Sequence, residues 1–250
     1  MSPLTLFGFG LTILLTSFVS GVFGMAGGLI LLGLLLVYFD VPTAMVMLSI
    51  VQFAANGWRA LLWSRFVRWR IFAFYVVGAI VAFLLMRLVA FIPDKALVYL
   101  LLGLMPFMAE LIPKQWRPNI EWRGVPFVTG VLTTFIQLFS GVGGLFLDMF
   151  FQKSTLDRKS TVGTKAVTQS FSHVLRFAFF GPFGGIGGAT EAAPIWSYGA
   201  AVVLAIAGTS LAPLVLERMT DQGFRQWTRY IIFFVSTLYV LRALWLFWYG

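Results

Sequence analysis

The stretch Gly21-Val-Phe-Gly-Met-Ala-Gly-Gly28 interrupts a long apolar region near the start of the chain. A second stretch, Phe139-Ser-Gly-Val-Gly-Gly144, interrupts another apolar region about half a chain later. In a bilayer, non-helical backbone of this kind is tolerated only where it is buried in protein or faces a watery cavity. Corresponding interruptions in two halves of a chain mark the midplane solute site of many transporters, so these stretches predict a transporter.

The composition indicates an all-α polytopic membrane protein. Of the 250 residues, 60% are hydrophobic and only 11% are charged, which is more apolar surface than one soluble core can hide. There is no cysteine and only one histidine, so disulfides and multi-histidine metal clusters are excluded and no cofactor is expected. Runs able to cross about 30 Å of hydrocarbon lie at 44–64, 71–91, 95–112, 160–180, 195–216 and 229–249.

The net charge of +9 comes from basic residues in short loops between the apolar runs. A nucleic-acid-binding protein needs a solvated basic face instead, so nucleic acid is not an expected partner. The positive-inside rule places these loops in the cytoplasm. The loop at 93–95 and the glycine-rich segment 181–194 carry little charge, and we expect both to be external, the second as a flexible connection. The cytoplasmic clusters are Arg65, Arg68 and Arg70; Lys114, Arg117 and Arg123; Lys153, Arg158 and Lys159; and Arg218, Arg225 and Arg229.

These assignments determine how the two glycine-broken stretches run. Residues 124–152 begin and end at cytoplasmic clusters, so they are predicted to form a hairpin that turns at 140–144 partway across the membrane. By the same argument, residues 3–39 form a hairpin that enters from outside. Each half then holds one hairpin and three helices, with residues 1–117 as repeat 1 and residues 118–250 as repeat 2.

The two halves also match residue by residue. Because each repeat has five segments, an odd number, the second repeat should be inserted with inverted topology, as in many secondary transporters. A shift of 117 residues aligns four pairs of polar residues, namely Asp40 with Asp157, Gln52 with Gln169, Asn56 with His173 and Arg59 with Arg176.

Polar residues inside two of the spans suggest the kind of solute. Lys165, Gln169 and His173 share one face of the helix at 160–180, because they are spaced by four residues. The helix after each glycine turn presents free N–H groups and the positive end of its dipole to the turn, an arrangement that binds anions. The candidate anion-binding residues are Gly24, Gly27, Gly28, Gln52, Asn56, Ser140, Gly141, Gly143, Gly144, Lys165, Gln169 and His173.

Simpler interpretations exist for several of these residues. Gly24 and Gly28 also form a small-xxx-small pattern that lets two helices approach closely. Gln52 and Gln169 could be interhelical hydrogen-bonding residues rather than ligands. For His173 we expect a hydrogen bond between helices rather than proton coupling.

The charged residues of the spans also have structural interpretations. Arg59 and Arg176 lie close enough to helix ends for us to expect that they snorkel toward the interface. Asp148 on the second hairpin is expected to pair with Lys165, because charges within a membrane usually find a partner.

At these residues the sequence resembles the sulfite exporter TauE/SafE family of bacterial membrane proteins. The resemblance rests on the stretch 21–29 with the helix 44–59, and on 140–145 followed by 157–176, and it spans essentially the whole chain. It implies export of sulfite or a small organosulfur anion such as a sulfonate across the bacterial cytoplasmic membrane. The partners would then be a small anion and the lipid bilayer, and a homodimer is one assembly to consider.

Two other functions remain open at this point. A passive anion channel would share the same polar path but would show no coupling to a second ion. An intramembrane enzyme would need His173 as a general base, yet the chain contains no Gly-x-Ser-x-Gly or His-Glu-x-x-His motif. We therefore expect a secondary transporter that works by alternating access, and not an enzyme.

Overall fold

The computed structural model describes residues 3–23, 26–216 and 218–249, and every regular element in these ranges is helical. Three short 3₁₀ turns, Ser64–Phe66, Lys114–Trp116 and Gly181–Phe183, connect α-helices. The α-helices in chain order are α1 (Pro3–Phe23), α2 (Ala26–Tyr38), α3 (Val41–Leu62), α4 (Trp69–Val89), α5 (Lys95–Leu111), α6 (Val125–Ser140), α7 (Gly144–Phe151), α8 (Arg158–Phe180), α9 (Gly185–Ala192), α10 (Ile195–Leu211), α11 (Pro213–Leu216) and α12 (Asp221–Tyr249).

The polytopic membrane fold that the composition predicts is confirmed. Two of the predicted spans fall short of a membrane-crossing helix: α5 is only 17 residues long, and α8 has 23 residues but carries the polar face. The apolar helices α2 and α6 are shorter still, as expected for the arms of hairpins. Within the described ranges, five segments are long and apolar enough to cross a bilayer, namely Leu4–Phe23, Val41–Leu62, Trp69–Val89, Ile195–Val215 and Gln226–Tyr249.

Helices α3 and α8, which carry the polar faces of the two halves, begin in the same way. Asp40 caps α3 by accepting a hydrogen bond from the backbone N–H of Thr43 at 2.7 Å, and Asp157 caps α8 through the N–H of Ser160 at 3.0 Å. The hydroxyl and N–H groups of Ser160 hold the pKa of Asp157 below its usual range, because both donate to the carboxylate. The predicted equivalence of Asp40 and Asp157 thus has a structural counterpart.

The second glycine stretch forms the predicted turn. Helix α6 ends at Ser140, and Gly141 follows with a φ of +82°, a left-handed conformation that glycine adopts without steric cost. The N–H of Gly141 donates to the carbonyl of Gln137 at 2.8 Å, and α7 begins at Gly144. In the first half, α1 ends at Phe23 and α2 begins at Ala26, and Gly24 and Met25 between them lie outside the described residues.

Helices α3 and α8 pack against each other along much of their length and run antiparallel. Ser49, in the first half of α3, bonds to Arg176 near the end of α8. Trp63, directly after α3, lies against Gly163 near the start of α8, and a Cβ on that glycine would come within 2.8 Å of the Trp63 carbonyl oxygen.

Helices α5 and α12, which occupy equivalent places in the two halves, are also antiparallel neighbours. The rings of Tyr99 and Tyr239 are 5.5 Å apart near one end of the pair, and Glu110 and Arg229 form an ion pair at 3.3 Å near the other. In an inverted repeat, equivalent helices of the two halves run in opposite directions. The inverted repeat itself stays a prediction.

Another helix contact is also repeated when the halves are exchanged. Helix α4 of the first half packs on α6 of the second half, and the equivalent helices α10 and α1 pack on each other. Both contacts are close because glycines face the partner backbone: a Cβ on Gly78 would overlap the carbonyl of Phe127, and one on Gly208 would overlap the carbonyl of Leu14. This close helix contact therefore occurs twice, once for each half.

The expectation of a flexible connection at 181–194 is wrong. The 3₁₀ turn Gly181–Phe183 leads into α9, which packs on the start of α3, where Gly188 faces the side chain of Thr43. The hydroxyl of Tyr198 donates to the carbonyl of Ala189 at 2.6 Å and ties α9 to α10. The absence of a side chain at Gly188 lets α9 come this close, because a Cβ there would overlap the Thr43 hydroxyl.

Candidate functional site

A cavity of about 1130 Å³ lies between α3 and α8 and is lined by residues of both glycine stretches. Three polar residues of α3 and α8, Gln52, Asn56 and Gln169, line it together with the turn at Gly141–Gly144. This cavity, called the α3–α8 cavity below, thus brings together the polar faces and the glycine stretches that the sequence singles out. The predicted site residues that line it are Gly28, Gln52, Asn56, Gly141, Gly143, Gly144, Lys165, Gln169 and His173.

Two predicted site residues, Gly27 and Ser140, lie elsewhere. Gly27 packs against α1, since a Cβ there would overlap the carbonyl of Thr16. Ser140 is fully buried, and its hydroxyl donates to the carbonyl of Ile136 at 2.9 Å. Both residues therefore shape the turns rather than the cavity wall, and Gly24 lies outside the described residues.

The pair Asn56 and His173, which the repeat alignment matches, meets at the contact between α3 and α8. The amide nitrogen of Asn56 donates to the carbonyl of Gln52 at 3.0 Å and lies 3.3 Å from His173 Nε2. Because the Asn56 amide is the donor in this orientation, Nε2 accepts and the ring is neutral with its proton on Nδ1. The expected interhelical hydrogen bond of His173 is confirmed, and within the described structure its Nδ1 has no partner.

The position of Arg176 differs from the sequence prediction. The sequence predicts that this side chain snorkels toward the interface, but only 1% of the residue is exposed and it lines the α3–α8 cavity. Its Nε donates to Ser49 Oγ at 2.8 Å and its Nη1 to the carbonyl of Gly141. The side chain is held inward because these acceptors, from α3 and from the α6–α7 turn, surround it.

The charge of Arg176 has no counterpart in the described part of the chain. No carboxylate there lies within ion-pair distance of the guanidinium, and Nη2 is buried without a hydrogen-bond partner. Both of its acceptors are neutral groups. Buried charges in proteins are normally paired, so a guanidinium in this state has room for an anionic partner.

Arg59, the equivalent of Arg176 in the first half, also differs from the snorkelling expectation. It is half-buried, lines the same cavity, and donates from Nη2 to the carbonyl of Ser20 at 3.3 Å. The α1–α2 hairpin therefore supplies the acceptor that draws this arginine toward the interior.

The predicted ion pair between Asp148 and Lys165 is confirmed, and it joins α7 to α8 in the cavity wall. The two side chains are 34% and 27% exposed, so water screens the pair in part. Asp148 neutralises the positive charge of Lys165 locally. Lys165 differs in this respect from Arg176, whose charge has no such partner in the described structure.

Gln137 is a cavity residue that the sequence analysis missed. It lies on α6 one turn before Gly141 and donates from its amide to the carbonyl of Ser172 at 3.0 Å. The sequence could have indicated this residue. A polar side chain one helical turn before a glycine break lies on the face of the helix next to the break.

The cavity extends to the end of the molecule that carries the basic loops. Its outer wall includes Arg158 and Lys159 at the start of α8 and Trp63 after α3. The ammonium of Lys159 lies 5.8 Å from the ring centroid of Trp63 and 5.3 Å from that of Phe66, which are cation–π distances. The mouth is therefore positive and aromatic, and the charge pattern predicts that it faces the cytoplasm.

Bulky residues lie beyond the other end of the cavity. Phe179 and Phe180, one turn beyond Arg176 on α8, are fully buried. The rings of Phe179 and Phe183 are 5.5 Å apart, and α9 packs on the start of α3. On α8 the cavity lining therefore runs from Arg158 at the basic end to Arg176 and stops before these aromatic residues.

Comparison with known families identifies the family of the chain. The family described as sulfite exporter TauE/SafE matches residues 9–239 of the chain. The chain belongs to the sulfite exporter TauE/SafE family. Comparisons with individual curated proteins and with solved structures give no match.

Membership of the TauE/SafE family confirms the resemblance seen in the glycine stretches. The match covers both hairpins and all the helices that line the α3–α8 cavity. The chain is therefore a multi-pass membrane transporter of an anion-exporting family, which agrees with the expectation that it is not an enzyme.

Proposed function

We propose that this TauE/SafE protein exports sulfite or a small sulfonate anion across the bacterial cytoplasmic membrane by alternating access. The anion would bind at the deep end of the α3–α8 cavity, the part formed by Gly141, His173 and Arg176. The observation that carries this proposal is the buried guanidinium of Arg176, which has no carboxylate partner in the described structure.

The energetics of a buried cation favour an anionic ligand. Removing a charged group from water costs several kcal/mol after relaxation, unless an opposite charge compensates it. The planar guanidinium can give two parallel hydrogen bonds to the oxygens of a sulfur oxyanion, as it does to carboxylates and phosphates. With Nε on Ser49 and Nη1 on Gly141, the side chain is already held in place, so little entropy would be lost on binding.

The turn beside Arg176 can add further donors. Helix α7 begins at Gly144 in the cavity wall, and the first N–H groups of a helix lack intrahelical acceptors. We assign the amides of Gln52 and Gln169 to the same anion site as neutral donors, and Asn56 to holding His173 beside it. Lys165, paired with Asp148, would then act on the path to the site rather than in it.

The shape of the cavity supports a carrier. The cavity reaches the end with the basic loops, and the fully buried Phe179 and Phe180 lie beyond its other end. A carrier with inverted repeats reaches its second state when the two halves exchange conformations, and the equivalent contacts of α4 with α6 and of α10 with α1 are compatible with such an exchange. The structure would therefore represent the state that is open to the cytoplasm.

Reconstitution in proteoliposomes tests this proposal. Vesicles with the wild-type protein should release sulfite and methanesulfonate with saturable kinetics, and Arg176→Gln should reduce release by at least tenfold. Arg65→Gln is the matched control, because it removes an equal charge from an exposed site outside the cavity. Equal transport by the Arg176 and Arg65 variants would contradict the assigned site.

The same assay separates the two alternatives. A passive channel would give flux that rises linearly with anion concentration and ignores gradients of other ions. An enzyme would instead convert the anion chemically, and this activity would be lost in His173→Ala while passive flux stayed absent.

A further inference from the structure

We infer that the deep end of the α3–α8 cavity binds a singly charged oxyanion, such as a sulfonate or hydrogen sulfite, and discriminates against the dianions sulfite and sulfate. This inference rests on the proposed function and specifies the charge state of its substrate. It follows from counting the charges that lie near Arg176.

Arg176 is the one formal charge at the deep end within the described structure. On α3, Arg59 lies ten residues beyond Ser49, the residue that holds Arg176, and ten residues of helix span about 15 Å. On α8, Lys165 lies eleven residues before Arg176, or about 16 Å, and Asp148 neutralises it. The Arg59 guanidinium instead donates to the carbonyl of Ser20, and the Lys165 ammonium pairs with Asp148, so both cations are engaged away from Arg176.

The other donors near Arg176 are neutral. His173 accepts from Asn56 at Nε2, so its ring carries no charge and offers only a single N–H at Nδ1. The amides of Gln52 and Gln137 lie in the same walls. A monoanion would balance the guanidinium, whereas a dianion would leave one buried negative charge with only dipoles around it.

The remaining ionisable side chains of the cavity lie toward its mouth. They come from α3, α7 and α8, while the cavity-lining residues described on α1, α2, α6, α10 and α11 carry no ionisable side chain. A dianion could be attracted to this mouth without binding at the deep end. The ionisable residues toward the mouth are Arg59, Asp148, Arg158, Lys159 and Lys165.

The test is calorimetric binding to the purified protein at about pH 6 and about pH 8. Methanesulfonate is singly charged at both pH values, sulfate is doubly charged at both, and sulfite gains a proton between them. We expect methanesulfonate to bind equally at both pH values and sulfate at least tenfold more weakly. The apparent affinity for sulfite should rise roughly tenfold toward the lower pH, since only the protonated fraction would bind.

Other binding results would overturn this inference alone or the proposed function as well. Sulfate binding as tight as methanesulfonate, abolished by Arg176→Gln, would overturn the inference and leave the proposed function intact. Methanesulfonate binding that strengthens at low pH as much as sulfite binding would show that a protein group such as His173 titrates, which also overturns it. Absence of binding by all three anions, or binding unaffected by Arg176→Gln, would overturn both proposals.

Discussion

The guanidinium Nε of Arg176 lies 2.8 Å from Ser49 Oγ, so a buried cation of α8 is held by the polar face of α3. The Ser49 hydroxyl donates its own proton to the carbonyl of Met45 at 2.6 Å, which leaves its oxygen free to accept from Arg176. The contact between the two equivalent helices of the repeats therefore fixes the one charge on which the proposed anion site depends.

Replacing Ser49 tests whether this contact positions the arginine. Ser49→Ala removes the acceptor of Nε, and we expect the KM for the exported anion to rise several-fold while kcat changes less. Ser49→Thr keeps a hydroxyl and should restore the KM. A purely structural role would lower the amount of folded protein in both variants without separating KM from kcat.

Arg176→Gln should change stability in an unusual direction. A buried charge without a counter-ion carries a desolvation cost of several kcal/mol, and Arg176→Gln removes that cost. We therefore expect the melting temperature of the anion-free protein in detergent to be unchanged or higher. Wild-type protein should gain about 2.7 kcal/mol at a ligand concentration one hundred times the Kd, and the variant should gain nothing. A strongly destabilised variant that still shows the ligand-induced shift would argue for a structural arginine.

The ion pair of Asp148 and Lys165 should affect transport through charge rather than folding. The pair is partly exposed, so its contribution to stability should be about 1 kcal/mol or less. Asp148→Asn leaves Lys165 uncompensated, and we expect a lower KM together with slower release of the anion. Adding Lys165→Gln should return both constants toward the wild-type values. Effects that merely add in the double variant would exclude this coupling.

Close packing of α4 on α6 gives a prediction about stability. A Cβ on Gly78 would overlap the backbone carbonyl of Phe127, so Gly78→Ala must push the two helices apart. Overpacking typically costs about 1–3 kcal/mol, which outweighs a gain in helix propensity of about 1 kcal/mol. Gly8→Ala on α1 is the control, because nothing lies within 4 Å of its Cβ. Equal melting temperatures for the two variants would contradict the packing.

The orientation of the two halves can be tested directly, because the chain has no cysteine. Asp40→Cys and Asp157→Cys replace the equivalent caps of α3 and α8 and should cost similar stability. In intact cells, a membrane-impermeant thiol reagent should label the first variant, and should label the second only after the membrane is opened. Labelling of both from the same side would rule out the inverted repeat.

The sequence predicted the features that are set locally. The turn at 140–144 could be predicted because Gly141 needs a left-handed conformation after a helix. The pair of Asp148 and Lys165 could be predicted because isolated charges in a bilayer need partners. In both cases, a few neighbouring residues and the membrane environment suffice.

Features that depend on distant segments escaped prediction. The inward position of Arg176 requires Ser49 and Gly141, which come from other parts of the chain, and nothing near residue 176 signals them. Helix α9 escaped for the same reason: glycines lower its helix propensity, and its contact with Thr43 depends on the absence of a side chain at Gly188.

Anomalous diffraction tests the anion site most directly. Crystals would be soaked at mildly acidic pH with selenite, the selenium analogue of sulfite. If the methionines are unlabelled, the bound anion is the sole source of selenium, so the anomalous signal locates it. We predict one strong selenium peak within hydrogen-bond distance of the Arg176 guanidinium, beside Gly141–Gly144, and its loss in Arg176→Gln. A peak only at the mouth, near Arg158 and Lys159, or an unchanged peak in the variant, would contradict the account.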